Sequence, residues 1–379
     1  MKYLVLFLAG FSLWAPSALA QFRTLINLSG RVLDAENNAP LANVNVFLSQ
    51  TLLGCATNTN GEFVLNGVPL GTHDLIVSCI GYETQRSQAR FVVANNRVFE
   101  FRLKPRVLQA PAVEVVASRP VEWQKRLKEF ETFFLGTSPN AGKTKISNPE
   151  VLDFKPGQSQ NEFIAAAADF LKIENRALGY RIYYLLEAFG LNDEVLKYTG
   201  NTRFEELTPK SDKERRGWET NRRNTYLGSL RHFLAALTAQ TVDKEGFLVY
   251  RMQEMEENIY AADRETVNSA SLFSPGELPF ERNLHFLDVL QVVYAKEMEE
   301  QEYILWRLNY DKSALNMTSQ KRHESTRPQA QTSWMTMNKT SVIIDTSGYI
   351  YDPLAVTVFG YWAWLGVADM LPYEYSPSN

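Results

Sequence analysis

Cysteine and histidine are scarce in this sequence, which has two cysteines and four histidines in 379 residues. Zinc sites draw most of their ligands from these residue types, usually at short spacing. The histidines, His73, His232, His285 and His323, are scattered, and none has a glutamate three residues later. His285 has Asp288 at that spacing, which is a single weak pair. The sequence therefore predicts no metal site.

Net charge is also small. The formal net charge is −4, and lysine and arginine are not in excess. Domains that bind nucleic acid usually have a strong basic bias, so nucleic acid is not expected as a partner. The 45% of hydrophobic and 12% of aromatic residues are enough for a substantial core. A chain of this length is typical of two or three domains.

The segment FLGTSPNAGKTKI, residues 134–146, has the glycine, lysine and threonine of a phosphate-binding loop but not their spacing. That motif has four residues between its glycines and follows a strand. Here five residues separate Gly136 from Gly142, and a predicted helix precedes them. The dipeptide Asn148-Pro149 disfavours a helix afterwards. We expect no nucleotide and no other cofactor, and we interpret the segment as a turn that leads into a strand.

Long apolar runs are missing after residue 20. The first 20 residues contain Lys2, the apolar run YLVLFLAGFSLWA and small residues before Gln21, which is typical of a cleaved signal peptide. No later run reaches the roughly 20 apolar residues that a membrane-spanning helix needs. We expect residues 1–20 to be removed. The mature chain is then an exported protein without a transmembrane helix, in the periplasm or associated with the outer membrane.

The two cysteines, Cys55 and Cys79, both lie in predicted strands. In an oxidising compartment they would be able to form a disulfide, provided that their α-carbons lie within roughly 7 Å of each other. Two buried free thiols are the equally weighted alternative, because free cysteine is commonly buried. The sequence leaves both alternatives open.

The pattern of residues 25–104 predicts short strands separated by turns. The stretch ANVNVFLSQ alternates, with Val44 and Val46 on the same face. Asn60-Gly61 is a strong signal for a tight turn between two strands. Strands at such regular spacing predict an antiparallel β-sandwich.

Two stretches of this region, GRVLDAENNAPLANVNVFL and ATNTNGEFVLNGVPLGTHDLIVSCIGY, resemble the carboxypeptidase regulatory-like domain. The matching residues are Gly30, Val32, Asp34, Pro40, Leu41, Val44, Val46, Thr57, Gly61, Phe63, Gly81 and Tyr82. The resemblance implies a transthyretin-like β-sandwich and no catalysis, because this module usually accompanies another domain. A fold alone does not give a function. We interpret residues 105–120 as a linker or an additional strand.

Residues 121–379 predict an α+β domain. In the stretch YRIYYLLEAFG, which begins at Tyr180, residues 180–187 alternate with apolar side chains on both faces, which indicates a central strand of an antiparallel sheet. Residues 208–240 predict the longest helix, and Ser211 and Glu214 have the spacing of a capping box at its start. The predicted fold is therefore β-rich, with an N-terminal antiparallel β-sandwich and an α+β domain that has an antiparallel sheet and one long helix.

Two groups of residues are candidates for a ligand surface. The first is a run of arginines on the predicted long helix: Arg215, Arg216, Arg222 and Arg223. The second is a group of aromatic residues near the C-terminus: Tyr361, Trp362 and Trp364. The arginines would bind an anionic glycan or lipid head group, but a solvated helix face with ion pairs one turn apart is the favoured alternative. The aromatic rings would stack on sugars, but closing a core is again the favoured alternative.

Residues 121–375 are similar to a group of exported proteins of Bacteroidetes-type bacteria, on stretches such as NRALGYRIYYLLEAF and YLGSLRHFLAAL. That group has no activity that can be carried over to particular residues. The sequence also lacks a Gly-x-Ser-x-Gly nucleophile motif. We therefore predict no catalytic residues.

The predicted function is that of a non-enzymatic envelope protein. The sandwich would be a structural or interaction module, and the C-terminal domain would bind an envelope protein or a glycan. The alternative is a hydrolase that acts on envelope glycans or peptides. For that alternative the candidate acids are Glu174, Glu187 and Asp288.

Overall fold

A computed structural model describes most of the chain after the predicted signal peptide. The described residues are 25–92, 97–106, 120–157, 162–191, 196–253, 264–310 and 326–377. The predicted signal peptide, residues 1–20, lies outside them, and so does most of the predicted linker. The domain boundaries proposed from the sequence stay predictions.

The first seven strands form a β-sandwich, as predicted. They are β1 (Leu25–Asp34), β2 (Asn45–Leu48), β3 (Gly54–Ala56), β4 (Glu62–Pro69), β5 (Gly71–Ser78), β6 (Gln85–Phe91) and β7 (Arg97–Leu103). One sheet has the order β4-β1-β7 and the other β3-β2-β5-β6. All pairs are antiparallel except β1 with β7. Alternate residues such as Val32, Val46 and Leu75 are fully buried between the sheets.

A six-stranded sheet follows, with helix α1 (Val121–Leu135) packed on it. Its strands are β8 (Thr144–Ile146), β9 (Leu152–Pro156), β10 (Phe163–Ala167), β11 (Leu171–Asn175), β12 (Tyr180–Leu191) and β13 (Leu196–Glu206). As the alternation predicts, β12 is central and pairs with β10, β11 and β13, all antiparallel. Phe130 of α1 lies 4.7 Å from Phe189, and Phe134 lies 4.9 Å from Tyr184, between ring centroids.

The region of the predicted long helix contains two helices instead of one. They are α2 (Asp212–Tyr226) and α3 (Leu230–Thr238). Ser211 caps α2 as predicted, because its hydroxyl accepts from the Glu214 N–H at 3.2 Å. The break falls at Gly228, which has a φ of 73° and packs so closely that an added Cβ would lie 2.5 Å from Gln331 Oε1. The hydrophobic periodicity continues across this break, so the pattern alone did not reveal it.

The remaining elements form two further sheets and several short helices. They are α4 (Val242–Glu245), β14 (Phe247–Met252), β15 (Glu265–Thr266), β16 (Phe273–Pro275), β17 (Glu281–Leu284), β18 (Val289–Met298), α5 (Gln301–Tyr310), β19 (Ala330–Met337), β20 (Val342–Asp345), β21 (Val356–Gly360) and α6 (Tyr361–Trp364). One sheet has the order β15-β14-β18-β19-β21 and the other β16-β17-β20. Helix α3 packs its apolar side on these strands. In the described part of the chain, every helix is too short or too polar to cross a lipid bilayer.

The β2–β3 loop of the sandwich joins the three parts of the molecule. The Gln50 N–H donates to Thr202 O of β13 at 2.7 Å, and Gln50 O accepts from the Tyr373 N–H at 2.9 Å. The Phe204 N–H donates to Thr51 O at 2.9 Å. The loop therefore lies between the six-stranded sheet and the C-terminal segment.

Arg231 of α3 fixes that C-terminal segment. Its guanidinium donates to Pro372 O at 2.8 Å, to Tyr373 O at 2.7 Å and to Tyr375 O at 2.6 Å. It also donates to Ser347 O at 3.2 Å. No local sequence pattern reveals these partners, because they lie more than 100 residues away in the chain.

Two glycine substitutions test the helix break. Gly228→Ala should lower the free energy of unfolding by at least about 1 kcal/mol, because a left-handed backbone is unfavourable for residues with a Cβ. Gly217→Ala, in the middle of α2 with open space around its α-carbon, should raise it by roughly 0.5–1 kcal/mol. Urea unfolding of both variants measures the difference. If both substitutions changed the free energy of unfolding in the same direction and by the same amount, the break between α2 and α3 would not depend on Gly228.

Candidate functional site

The outward face of the sandwich strands β5 and β6 is polar, although other parts of the chain cover it. Leu75 points into the sandwich core, so Thr72 and Asp74 point to the opposite face. Thr72 is paired with Arg90 across the strands, and Asp74 with Gln88. Thr72 and Asp74 are only 7% and 6% exposed. A polar sheet face normally contacts solvent, but here it forms the wall of an internal space.

This space, the central cavity, lies between the sandwich, the six-stranded sheet and the C-terminal strands. Its volume is about 1130 Å³, above the roughly 300–1,000 Å³ of common small-molecule sites. Its lining includes the charged residues Asp74, Arg90, Glu187 and Glu281 and the tyrosines Tyr184 and Tyr349. The cavity is therefore large enough for an oligomeric ligand.

An ion pair between the sandwich and β17 forms part of the wall of this cavity. Arg90 Nη2 donates to Glu281 Oε2 at 2.7 Å, and Arg90 Nη1 donates to Glu277 Oε2 at 2.6 Å. Glu281 is completely buried. On the same sandwich face, Arg86 donates to Asp74 Oδ2 at 2.7 Å. Each buried carboxylate thus has one oxygen bound to an arginine.

The second oxygen of each carboxylate has no partner. Asp74 Oδ1 and Glu281 Oε1 are buried without a hydrogen bond from any described residue, and so is Arg90 Nε. A buried polar group without a partner costs roughly 1–3 kcal/mol. These three atoms have almost no accessible surface, so their burial is a cost of placing the ion pairs in the wall of the cavity.

Tyrosines form much of the remaining wall. Tyr184, Tyr198, Tyr349 and Tyr351 all line the cavity. Burial raises the pKa of Tyr198 to about 12. Burial also raises the pKa of Tyr349 and Tyr351, with a smaller contribution from the charge of Asp74 at Tyr349. The phenols therefore keep their protons, and they present neutral rings and hydroxyls to the cavity.

Asp369 lies where the central cavity meets a second, smaller one. Its Oδ1 accepts from Ser138 Oγ at 2.8 Å and from Asn140 Nδ2 at 2.9 Å, and its Oδ2 accepts from the Gly366 N–H at 3.3 Å. Burial raises the pKa of Asp369 to about 6, although these bonds oppose the shift. Ser138 and Asn140 belong to the segment, residues 134–146, that resembles a phosphate-binding loop. It follows helix α1 and leads into β8, and it packs against the C-terminal segment.

The smaller space, the acidic cavity, has a volume of about 260 Å³ and is lined by Asp369, Glu297, Glu300 and Tyr361. Burial, with a smaller contribution from the charge of Glu300, raises the pKa of Glu297. The Tyr361 hydroxyl donates to Glu300. This arrangement brings together acids that the sequence analysis did not select.

The candidate acids of the hydrolase alternative are not brought together. Glu187 lines the central cavity, where its Oε1 accepts from Asn201 Nδ2 at 2.6 Å. Glu174 is bound to Arg176 at 2.6 Å, and that bond lowers the pKa of Glu174. Neither Glu174 nor Asp288 lines that cavity. Among the described residues, no group of three or more metal-ligating side chains is placed to hold a metal ion.

The arginine run of α2 lies away from both cavities. Arg222 Nε donates to Leu178 O at 2.7 Å, and its guanidinium lies 3.9 Å from the centre of the Tyr180 ring. Arg215 is exposed and pairs with Asp212 at 2.9 Å and with Glu219 at 3.8 Å. The other two candidates on this helix are Arg216 and Arg223, which are exposed. A ligand surface here stays a prediction.

The aromatic group near the C-terminus closes a core instead of forming an exposed surface. Tyr361, Trp362 and Trp364 are 6%, 7% and 3% exposed. Trp362 Nε1 donates to Gly228 O at 2.8 Å, and Trp364 packs on Tyr303. Rings that are buried to this extent do not form an exposed stacking surface, although Trp362 lines the central cavity, and a ligand role for them stays a prediction. The favoured alternative from the sequence agrees with this burial.

Cys55 and Cys79 are free thiols, and both are half-buried. Strand β2 lies between them, because Cys55 of β3 pairs with Val46, which pairs with Val77 of β5. Strands two positions apart in a sheet are roughly 10 Å apart, beyond the reach of a disulfide. The structure therefore contradicts the disulfide alternative.

Comparisons with known proteins identify only the first part of the chain. Residues 28–115 match the family model of the CarboxypepD_reg-like domain, which confirms the resemblance found in the sequence. No curated protein matches the chain. The matched segment is less than a third of the sequence, so it does not characterise the remainder.

Solved structures align with parts of the chain. They include a type II cohesin–X-dockerin complex from Acetivibrio cellulolyticus (22% identity, 20% of this chain and 52% of that chain, TM-score 0.18). A 3-chlorocatechol 1,2-dioxygenase from Rhodococcus opacus aligns at 17% identity (23% and 62%, TM-score 0.19). A DUF3823 family protein from Bacteroides ovatus aligns at 10% identity (49% and 82%, TM-score 0.18). The chain spans about half to two thirds of the first two, and TM-scores this low support no argument about function.

The pKa of Asp369 predicts a pH dependence of stability. Its value of about 6 in the folded state lies above its ordinary value of 3.8, so the folded protein holds this proton more tightly than the unfolded chain. The resulting stabilisation is complete below pH 4 and is lost as the pH rises to 6, and it amounts to roughly 3 kcal/mol. Asp369→Asn should remove this decline, which urea unfolding between pH 4 and 7 measures.

Asp352→Asn is the matched control. The hydrogen bond from Lys339 lowers the pKa of Asp352, so its contribution to stability is lost as the pH falls, in the opposite direction. If the free energies of unfolding of the wild type and Asp369→Asn differed by the same amount from pH 4 to 7, the raised pKa of Asp369 would be contradicted.

Proposed function

We propose that this protein, whose residues 28–115 match the CarboxypepD_reg-like domain, is an exported, non-enzymatic glycan-binding protein of the cell envelope. The central cavity is its binding site. The sandwich is then part of the site as well as a structural module, because its β5 and β6 strands supply one wall.

The observation that carries this proposal is the central cavity itself, which is large and is lined by tyrosines and by charged side chains of the sandwich and β17. Its carboxylates can only accept hydrogen bonds, whereas its arginines can only donate. A ligand that fits must offer donors and acceptors within a short distance. Sugar hydroxyls do both, and neighbouring hydroxyls on one ring can satisfy adjacent groups.

The charge and the shape of the cavity support a neutral glycan. The cavity's cations and acids largely compensate one another, as in the pairs Arg86–Asp74, Arg90–Glu281 and Lys339–Asp352. Arg231 is engaged by backbone carbonyls. An anionic ligand would therefore find little uncompensated positive charge, while the tyrosine rings offer flat surfaces for sugar rings. A protein partner would need a broader and flatter surface than this concave space.

A binding experiment with Glu281→Gln tests the proposal. The substitution keeps the size of the side chain and an oxygen for Arg90, but it replaces one acceptor by a donor. We expect the affinity for a neutral oligosaccharide to fall about tenfold, because Glu281 fixes Arg90 in the cavity wall and a hydrogen bond between charged groups contributes roughly 1.5–3 kcal/mol. Isothermal titration calorimetry of the mature protein with gluco-, manno- and N-acetylated oligosaccharides measures this.

Glu265→Gln is the control, because Glu265 forms a similar pair with Arg251 on the exposed surface. It should leave the affinity unchanged. The proposal fails if no saccharide binds, or if Glu281→Gln, with unfolding midpoint intact, binds as tightly as the wild type. Recovery of a protein partner but no glycan from envelope extracts would favour the protein-binding alternative.

A hydrolase is the second candidate, and the acidic cavity is the observation that favours it. It combines Asp369, with a pKa of about 6, and Glu297, whose pKa is also raised. Two acids in one cavity, one as general acid and the other as base or nucleophile, are the catalytic groups of most glycosidases. If the protein is a hydrolase, the purified protein should release reducing ends from envelope glycans, and Asp369→Asn should abolish the release. Absence of turnover in the wild type would remove this candidate.

A further inference from the structure

The turn between α2 and α3 forms part of the wall of both cavities. Ser229 lines the central cavity and the acidic cavity, and Leu227 lines the acidic cavity. Between these two residues lies Gly228, where the chain bends. The Gly228 carbonyl accepts from Trp362 Nε1 at 2.8 Å, and Trp362 also lines the central cavity. A change in this turn therefore alters the walls of both cavities.

A histidine side chain holds this turn in place. The Gly228 N–H donates to His232 Nδ1 at 3.1 Å, and the bond is buried. In the same helical turn, the Ser229 hydroxyl accepts from the His232 N–H at 3.1 Å. Two side chains thus satisfy backbone N–H groups at the start of α3, as in a capping box, where a glutamate or glutamine is usual at the second position. A histidine nitrogen accepts a hydrogen bond only while it carries no proton, so this bond requires the neutral ring.

Aromatic rings surround His232, which is only 5% exposed. Its neighbours are the rings of Tyr226 on α2, Phe247 on β14 and Tyr294 on β18, at 5.2, 4.9 and 5.7 Å between ring centroids. Burial raises the pKa of Tyr226 and raises that of Tyr294 to about 12. Both phenols therefore stay neutral, and they offer no charge that would compensate a protonated imidazole.

Among the described residues, Glu245 and Lys296 are the charged groups that act on the ring. Glu245 Oε2 lies 3.5 Å from His232 Nε2, the nitrogen that carries the proton when Nδ1 is the acceptor. Burial lowers the pKa of His232 below its ordinary value of 6.5, Glu245 opposes this shift, and Lys296 adds to it. The neutral ring is thus the form that fits the fold.

Protonation of His232 removes the acceptor of the Gly228 N–H. Two N–H groups would then face each other across the present 3.1 Å, and a charged ring would lie among aromatic side chains. The folded protein binds this proton less tightly than the unfolded chain. The stabilisation from the neutral ring is therefore complete above pH 6.5 and is lost as the pH falls toward the pKa of the folded state.

We propose that His232 makes the turn at Gly228 a pH-sensitive switch. The neutral ring holds the turn closed, whereas the protonated ring releases it, together with the parts of the cavity walls that Ser229 and Trp362 form. The switch does not depend on what the cavities bind, so it goes beyond the proposed function.

Hydrogen exchange of the Trp362 indole N–H, followed by NMR between about pH 7 and pH 4, tests the switch. This N–H bonds to Gly228 O, so it exchanges faster when the turn opens. The Trp218 indole N–H is the internal control, because it bonds to Arg176 O at 2.8 Å. The ratio of the two rates cancels the pH dependence of exchange itself. We expect this ratio to rise at least about tenfold as the pH falls, in line with the loss of one buried hydrogen bond.

Two substitutions near the ring should change this rise in opposite directions. Glu245→Gln removes the anion that favours the charged ring in the folded protein, so the rise should become larger and extend to lower pH. Lys296→Gln removes the cation that disfavours the charged ring, so the rise should become smaller. Neither side chain is buried, so both variants keep the core intact. Glu265→Gln, in an exposed ion pair, should leave the rise unchanged.

His232→Asn separates this histidine from other groups that titrate in the same range. Its amide oxygen is an acceptor for the Gly228 N–H that does not take up a proton, so the ratio of the two exchange rates should stay constant with pH. A constant ratio in the wild type, or an equal rise in His232→Asn, would overturn the switch. If His232→Asn does not fold, Glu245→Gln and Lys296→Gln decide, and equal changes in these two variants would overturn it as well.

Discussion

The guanidinium of Arg231 holds the C-terminal segment against the rest of the molecule, and the cavities depend on that contact. One arginine can bind several carbonyl oxygens because its five N–H groups point in fixed directions. The segment that it fixes includes Tyr373, whose N–H donates to Gln50 O and so holds the β2–β3 loop. The hydrogen bonds between Arg231 and these backbone carbonyls therefore help to fix the position of the sandwich relative to the six-stranded sheet and the C-terminal strands.

The charged residues between the sandwich and β17 fix the relative position of these two parts and add little to stability. The pair of Arg90 and Glu281 is costly to bury, and such pairs contribute little net stability compared with apolar contacts. They do require one relative placement of the sandwich and β17, because a shift would leave the buried Glu281 without its arginine. The apolar contact of Phe47 with Phe170, at 5.9 Å between ring centroids, supports the same placement next to the six-stranded sheet.

Several elements were predictable because their signals are local. The alternation in residues 180–187 predicted the central strand β12, and the turn and strand pattern of residues 25–104 predicted the sandwich. The helix over residues 208–240 was predicted as one element, because hydrophobic periodicity does not register the close approach that requires Gly228 to bend the chain. The polar residues of β6 gave no signal of a covered face, because they are equally typical of a strand face in solvent.

By itself, the sequence determined the β-rich class and the strands that bury alternate apolar residues, since these follow from periodicity and local turn chemistry. Its motifs within residues 25–104 resembled the family that the comparison then matched. Only the tertiary structure decided where the polar groups meet. Asp74 and Glu281 are some 200 residues apart in the chain, and no local pattern relates them. Their proximity results from packing three sheets together, in which buried charges must find partners wherever the fold brings them.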